Sequence, residues 1–216
     1  MIYIGLLDGN KKEYNSFNEL FNDKTLLNNI VNLDCSFNEL EILPESINQL
    51  VNLQVLYCYS NQLSTLPESI GDLINLKILH CSNNKISSLP RSICKLINLE
   101  ILNCSDNELT SLPDSIGNLT NLRTLNCYYN KLQTLPESLG SLVNMHTLIC
   151  FNDQEQTLPN SLGNLNNLRV LHCYNNKSTL PESIMNLQSI NFINKSNNPL
   201  RLLPSHKNYL KQLNHN

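Results

Sequence analysis

Residues 66–88 read LPESIGDLINLKILHCSNNKISS, and variants of this stretch recur through most of the chain. Leu-Pro pairs open successive copies at Leu43, Leu66, Leu89, Leu112, Leu135, Leu158, Leu180 and Leu203. The spacing is 23 residues, apart from one step of 22 near the end. An earlier copy starts at Leu20, where Phe21 replaces the proline, so eight copies cover residues 20–202. A fixed period of this length indicates a solenoid, in which each unit buries its apolar face against its neighbours.

Each copy has one half with the pattern of a strand and one half with the pattern of a short helix. Around Leu56, apolar and variable residues alternate, which is typical of a strand with one buried face. In the other half, Ile70, Leu73 and Leu76 are spaced three apart behind a proline that suits a first helical turn. The sequence therefore predicts a curved α/β solenoid. A parallel β-sheet lines its concave face, because strands stack more closely than helical turns, and short helical or 3-10 segments form its convex face.

The strand half carries the motif Leu-x-x-Leu-x-Cys-x-x-Asn-x-Leu. One instance consists of Leu53, Leu56, Cys58, Asn61 and Leu63. With this motif the chain resembles the leucine-rich repeat family over about residues 20–203. The LPxSIxxLxNL half resembles the intracellular, Ras-group-related subclass. That resemblance implies a small GTPase, a phosphatase or a kinase as the class of partner, and it implies a side chain at the asparagine position that bonds to loop backbone.

Seven of the eight cysteines occupy the same slot in successive copies. They are Cys35, Cys58, Cys81, Cys104, Cys127, Cys150 and Cys173. This slot faces the predicted core, where a free thiol behaves as a small apolar group and is mostly inert. Neighbouring thiols about 5 Å apart would suit a metal or a disulfide, but the chain lacks the paired short spacings of zinc sites. Only Cys94 falls outside the slot, where other copies have glycine. We expect structural cysteines, no metal, no cofactor and a reduced, cytoplasmic protein.

The composition narrows the classes of partner. A net charge of −3 over 216 residues gives no support for nucleic-acid binding. No run approaches the roughly 20 apolar residues that a membrane span needs, and the opening residues lack the basic start of a signal peptide. We therefore expect a monomer with a protein partner, and neither nucleic acid nor membrane.

The two ends of the chain depart from the repeat. Ile2, Ile4 and Leu6 alternate with other residues ahead of an Asp-Gly turn. This pattern predicts a hairpin that covers the open edge of the first copy. The alternative is a disordered leader. The predicted organisation is an N-terminal cap at residues 1–19, eight repeats at 20–202 and a C-terminal cap at 203–216. The repeat is faulty near Glu155 and Ser178, and we interpret these faults as drift near a solenoid end rather than as a functional loop.

Aromatic and basic residues gather in three consecutive copies near the C-terminal half. Aromatic residues and arginine are enriched at the centres of protein interfaces, because they combine large apolar area with a polar group. We predict a partner-binding patch on the concave face and a smaller second patch. The first consists of Tyr128, Tyr129, Phe151, Tyr174, His172, Arg123, Arg169 and His146, and the second of Tyr57 and Tyr59. The alternative is that tyrosine simply suits strand surfaces.

The sequence gives little support for an enzymatic function. His80 and Ser82 share one predicted face and Asp106 is nearby in the next copy, but a Ser-His-Asp triad also needs a buried acid that orients the base and an oxyanion site. An open sheet supplies neither, so we predict no catalytic residues. The expected function is a non-enzymatic protein-interaction scaffold. The alternatives are a module that recruits substrates to a separate enzyme, such as a ubiquitin ligase, and a paralogue with little selected binding.

Overall fold

The computed structural model describes residues 1–151, 158–174 and 180–194. In this part of the chain a ten-stranded sheet has the order β10-β9-β8-β7-β6-β5-β4-β3-β1-β2. Its strands are β1 (Ile2–Leu6), β2 (Lys11–Tyr14), β3 (Ile30–Asp34), β4 (Val55–Tyr57), β5 (Ile78–His80), β6 (Ile101–Asn103), β7 (Thr124–Asn126), β8 (Thr147–Ile149), β9 (Val170–His172) and β10 (Phe192–Asn194). Strands β3 to β10 are parallel, and equivalent positions of neighbouring copies pair, as Leu56 does with Leu79.

The return half of each copy forms a short helix, and most of these follow a Leu-Pro pair. The 3-10 helices are Leu27–Asn29, Glu45–Gln49, Glu68–Asp72, Arg91–Lys95, Ile116–Asn118, Glu137–Ser141, Asn160–Asn164 and Glu182–Asn186. Pro67, for example, precedes its helix with an extended backbone, φ −66° and ψ 149°. The parallel sheet with 3-10 turns confirms the predicted solenoid fold.

The core is one continuous column of leucine, isoleucine and cysteine between the sheet and the helical turns. Leu56, Leu79 and Leu102, from successive strands, are fully buried. All eight cysteines are buried, and none of them forms a disulfide. Burial raises the pKa of the Cys35 thiol, and that of the Cys81 thiol, to about 12. These thiols are therefore protonated at neutral pH and pack as apolar groups.

The N-terminal residues add an antiparallel hairpin to the sheet. β1 pairs with β2 on one side and with β3 on the other, and its Ile2 and Ile4 side chains are buried in the core. The helix α1 (Phe17–Asn22) follows, with the Ser16 hydroxyl accepting a hydrogen bond from the Glu19 backbone N–H. The boundaries at residues 19 and 202 remain predictions. The predicted C-terminal cap, Glu155 and Ser178 lie outside the described residues.

Asparagines at the same position of successive copies form a column, and their side chains hydrogen-bond to backbone groups of the loops that follow the strands. Its described members are Asn38, Asn61, Asn84, Asn107 and Asn130. The Asn107 side-chain amide donates to the carbonyls of Cys81, Cys104 and Ser105 at 3.0, 3.2 and 3.0 Å, and its oxygen accepts from the Ile86 N–H at 2.9 Å. One buried side chain thus satisfies backbone groups of two copies, which requires a residue that is both donor and acceptor.

Candidate protein-binding face

Three aromatic rings from consecutive copies stack at the carboxyl ends of β7, β8 and β9. The ring centroids of Tyr128 and Phe151 are 4.7 Å apart, with an interplanar angle of 5°. Those of Phe151 and Tyr174 are 4.0 Å apart at 19°. All three side chains are half-buried, and each follows the buried cysteine of its copy. The repeat period therefore sets the stack, because in-register parallel strands place equivalent residues one strand spacing apart.

Further rings extend this stack on both sides. Tyr129 packs against Tyr128 at 5.3 Å, and His172 lies 6.5 Å from Phe151 and 5.2 Å from Phe192. We call these residues the main aromatic patch. It consists of Tyr128, Tyr129, Phe151, His172, Tyr174 and Phe192. Phe192, 48% exposed, was not among the predicted site residues, although its place in a concave row could have indicated it.

A second cluster of rings lies on the same edge of the sheet, nearer the N-terminus. The ring centroid of Tyr59 is 5.1 Å from that of Phe37 and 5.1 Å from that of His80, and Tyr57 lies 6.0 Å from His80. We call Phe37, Tyr57, Tyr59 and His80 the smaller aromatic patch. Burial lowers the pKa of His80, so the ring is neutral at pH 7. Phe37 was not among the predicted site residues, although it occupies the same repeat position as Tyr129, two residues after the cysteine.

Phe37 and Tyr129 adopt a backbone conformation that large side chains rarely take. The residue before each column asparagine has a positive φ. The equivalent residues are Phe37 (57°), Ser60 (53°), Asn83 (53°), Asp106 (51°) and Tyr129 (50°). Asn and Asp tolerate this left-handed region, whereas bulky residues are outliers there. Phe37 is nevertheless 72% exposed and Tyr129 53% exposed, so core packing does not explain why large aromatic residues occupy these two positions. Unfavourable conformations of this kind cluster at functional sites.

The predicted basic residues lie at the opposite end of the strands. Arg123, His146 and Arg169 directly precede β7, β8 and β9, and each is bonded through its backbone N–H to the copy before it. The Arg123 guanidinium is 3.7 Å from the Glu100 carboxylate. Five residues separate Arg123 from Tyr128, about 16 Å of extended chain. The structure therefore brings the predicted aromatic residues together and leaves these three basic residues at another edge.

The surface between the two aromatic patches is polar. The Asn103 side-chain oxygen accepts from the Ser105 hydroxyl at 2.8 Å, and the Asn103 amide contacts the His80 Nε2. The neighbours of His80 are thus an amide and two tyrosine rings, and these contacts pack the side chain against the sheet surface. Next to it along the edge, burial and a hydrogen bond to Asp106 raise the pKa of Tyr128.

Within residues 1–151, 158–174 and 180–194, no group of three or more His, Cys, Asp or Glu side chains is arranged to hold a metal ion. In the same part of the chain, no helix has the length and apolarity required to cross a membrane.

A family model described as a leucine-rich repeat region matches residues 68–178, and a second, for a single leucine-rich repeat, matches residues 52–73. No curated protein sequence matches the chain. A leucine-rich repeat protein of Leptospira interrogans is 34% identical over 81% of this chain, with a TM-score of 0.73, and the match covers 45% of that protein.

Two further solved structures share the fold at lower identity. The functional domain of InlJ from Listeria monocytogenes, which includes a cysteine ladder, is 26% identical over 86% of this chain and 39% of its own, with a TM-score of 0.75. The Arabidopsis receptor kinase HAESA, in complex with the peptide hormone IDA and the co-receptor SERK1, is 28% identical over 84% of this chain and 33% of its own, with a TM-score of 0.71. The chain spans less than half the length of each of the three structures.

Proposed function

Because this chain belongs to the leucine-rich repeat family, we propose that it is a non-enzymatic scaffold that binds a protein partner on the concave side of its sheet, through the main aromatic patch. The observation that carries the proposal is the half-buried stack of Tyr128, Phe151 and Tyr174, flanked by the exposed Tyr129 in a left-handed conformation. Half-exposed aromatic rings present large apolar area with little side-chain entropy to lose on binding, which is why they dominate interface energetics.

The smaller aromatic patch supports the same proposal. It repeats both features of the main patch, a cluster of rings and a bulky residue, Phe37, at the left-handed position. Tyrosine suits strand surfaces in general, and that alone accounts for Tyr57, which ends β4. It does not account for Phe37 or Tyr129, which lie beyond the strands in a conformation that disfavours them.

The resemblance to the Ras-group-related subclass favours a small GTPase, a phosphatase or a kinase as the partner, and a monomeric protein of the cytoplasm. Eight buried cysteines with no disulfide among them support a reducing compartment. The HAESA structure, solved with a peptide hormone and a co-receptor, is a related fold engaged with partners. The proposed scaffold role needs no chemistry on this chain.

The test is capture of partners from a cell lysate, read by mass spectrometry. Wild type is compared with a Tyr128→Ser/Tyr174→Ser variant and with Tyr3→Ser, a control that removes a ring of 52% exposure from β1. Circular dichroism and thermal unfolding establish that all three proteins are folded. We expect at least one protein retained by wild type and by the control and lost by the double variant. Equal recovery by all three proteins would contradict the proposal.

A further inference from the structure

The two aromatic patches have a fixed separation along one edge of the sheet. Tyr59 and Tyr128 occupy the same slot of copies that lie three apart. Parallel strands are about 4.8 Å apart, so the two patches are separated by about 14 Å along the direction that crosses the strands. Both patches include the slot that follows the cysteine and the left-handed residue after it. A single extended ligand running along this edge would meet both patches.

In the described part of the chain, the edge between the patches carries a carboxylate that forms no ion pair. Asp106 occupies the left-handed position one copy before Tyr129, is half-buried, and donates its backbone N–H to the Tyr128 carbonyl at 2.9 Å. The ion pairs found among the described residues join Lys12 to Asp23, Arg123 to Glu100 and Lys131 to Glu108, and none of them includes Asp106. A carboxylate beside aromatic rings attracts a ligand that carries a cationic group and repels a ligand that carries a phosphate.

We propose that this edge binds an extended peptide segment that carries two large apolar side chains four residues apart, with a lysine or arginine between them. Four residues of extended chain span about 14 Å, which matches the separation of the patches. The apolar side chains pack on the two patches, and the basic side chain pairs with Asp106. The inference rests on the proposed function, since it names the chemistry of the partner that the main aromatic patch receives.

Charge argues against the other ligands that an aromatic edge can take. Nucleic acids stack bases on such rings but also need cations for their phosphates. Anionic lipid surfaces have the same requirement. Among the described residues, the Asp106 carboxylate lies beside the stack, and Asp34 lies at the other end of the edge, on the strand that pairs with the one holding Tyr57. A basic peptide with apolar side chains can both pack on the rings and pair with the carboxylate.

The test is selection from a phage-displayed library of random 12-residue peptides against the full chain. We expect the enriched peptides to share two large apolar residues four apart with a lysine or arginine between them. Binding of these peptides should fall about fivefold in Asp106→Asn, the size of effect expected for a partly exposed ion pair. Asparagine keeps an acceptor for the Tyr128 hydroxyl and tolerates the left-handed backbone. The same peptides with glutamine in place of the basic residue should bind both proteins equally.

A charge relocation sharpens the test. Asn83 is the equivalent residue one copy earlier, with its side-chain amide donating to the Ser60 hydroxyl at 3.0 Å. In the double variant Asp106→Asn/Asn83→Asp, the carboxylate moves by one strand spacing toward the smaller patch. Selection against this variant should move the basic residue toward the apolar residue that binds the smaller patch. An unchanged position of the basic residue would overturn the pairing.

The remaining outcomes separate this inference from the proposed function. Enriched peptides that lack the basic residue or the four-residue spacing, or a library that yields no peptide, would overturn the inference. If lysate partners are nevertheless lost by Tyr128→Ser/Tyr174→Ser, the proposed function stands without it. Enriched peptides that bind that double variant as well as wild type would overturn both.

Discussion

At the scale of single residues, Tyr129 connects the fold with the proposed function. Its position has a positive φ because the chain must turn there to present the next asparagine to the loops. A bulky residue in this region is disfavoured by about 1–2 kcal/mol, while the contacts of the Tyr129 ring with Tyr128 and Phe151 return about 0.5–1.5 kcal/mol. The two effects are similar in size, so tyrosine brings little net stability at this position.

We therefore predict that Tyr129→Asn changes the free energy of unfolding by less than about 1 kcal/mol, because relief of the backbone offsets the lost ring contacts. Partner capture should fall at the same time. Urea unfolding followed by fluorescence or circular dichroism measures the first effect, and the lysate capture measures the second. A loss of stability above about 2 kcal/mol would show that Tyr129 contributes to folding, and its left-handed conformation would then no longer indicate a role in binding.

Asp23 links the N-terminal hairpin to the loop after α1. Its carboxylate accepts from Lys12 Nζ at 2.6 Å, from the Tyr14 hydroxyl at 2.8 Å and from the Thr25 hydroxyl at 2.8 Å. These hydrogen bonds, with that from Lys12 the largest influence, lower the pKa of Asp23 from 3.8 to about 2. Because the folded pKa lies below the unfolded one, this stabilisation is fully present above pH 4 and is lost as the pH falls toward 2.

The expected result is that the unfolding temperature of wild type falls faster between pH 4 and pH 2 than that of Asp23→Asn. Thermal unfolding at half-unit steps of pH measures this difference. Asp8→Asn serves as a control, since Asp8 is an exposed turn residue bonded only locally, to Asn10. Parallel pH profiles for wild type and Asp23→Asn would contradict the assigned role of the carboxylate.

At the scale of the elements, a repeated glycine sets how closely neighbouring 3-10 helices approach. A Cβ added at Gly71 would lie 2.5 Å from the Ser92 carbonyl oxygen of the next copy, and one at Gly117 would lie 2.4 Å from that of Ser138. Cys94 occupies the same slot. The helix that follows it, Ile116–Asn118, has three residues where most copies have five.

We predict that Gly71→Ala lowers the free energy of unfolding by about 1–3 kcal/mol, because the added methyl group meets backbone that cannot move away cheaply. The matched control is Cys94→Ala, which keeps a Cβ in a slot that already holds one and should be milder. Chemical denaturation of both variants measures the difference. Equal destabilisation by the two substitutions would contradict the close-approach explanation.

The elements also show what sequence could and could not predict. Strand, turn and helix were predictable because each is encoded within one copy by the alternation around Leu56 and the spacing after Pro67. Contacts between copies were harder to predict. An acid directly after proline is suited to stabilise the first turn of its own helix, yet Glu137 accepts from the backbone N–H groups of Asn160 and Ser161, one copy later, at 3.1 and 2.9 Å. A single repeat does not reveal which neighbour its side chains reach.

At the scale of the whole molecule, the solenoid arranges side chains in rows, and the rows determine which residues can act together. Sequence reasoning grouped Arg123, His146 and Arg169 with the aromatic residues because they are near in the chain. The structure separates them by the length of a strand. It also adds Phe37 and Phe192, whose clustering with other rings depends on stacking across copies. Tyr128, Phe151 and Tyr174 stack because they share one repeat slot, which the 23-residue period already specifies.

The most direct test of the main aromatic patch is site-specific photo-crosslinking in cell lysate. A benzophenone amino acid replaces Tyr129 in the main patch or, as a matched control, Ile74, a residue of similar exposure on the opposite side of the repeat. The account predicts crosslinked partner bands at Tyr129 and none at Ile74, with the Tyr129 bands lost when Tyr174→Ser is added. Crosslinks at Ile74 alone would place the partner on another surface and contradict the central claim.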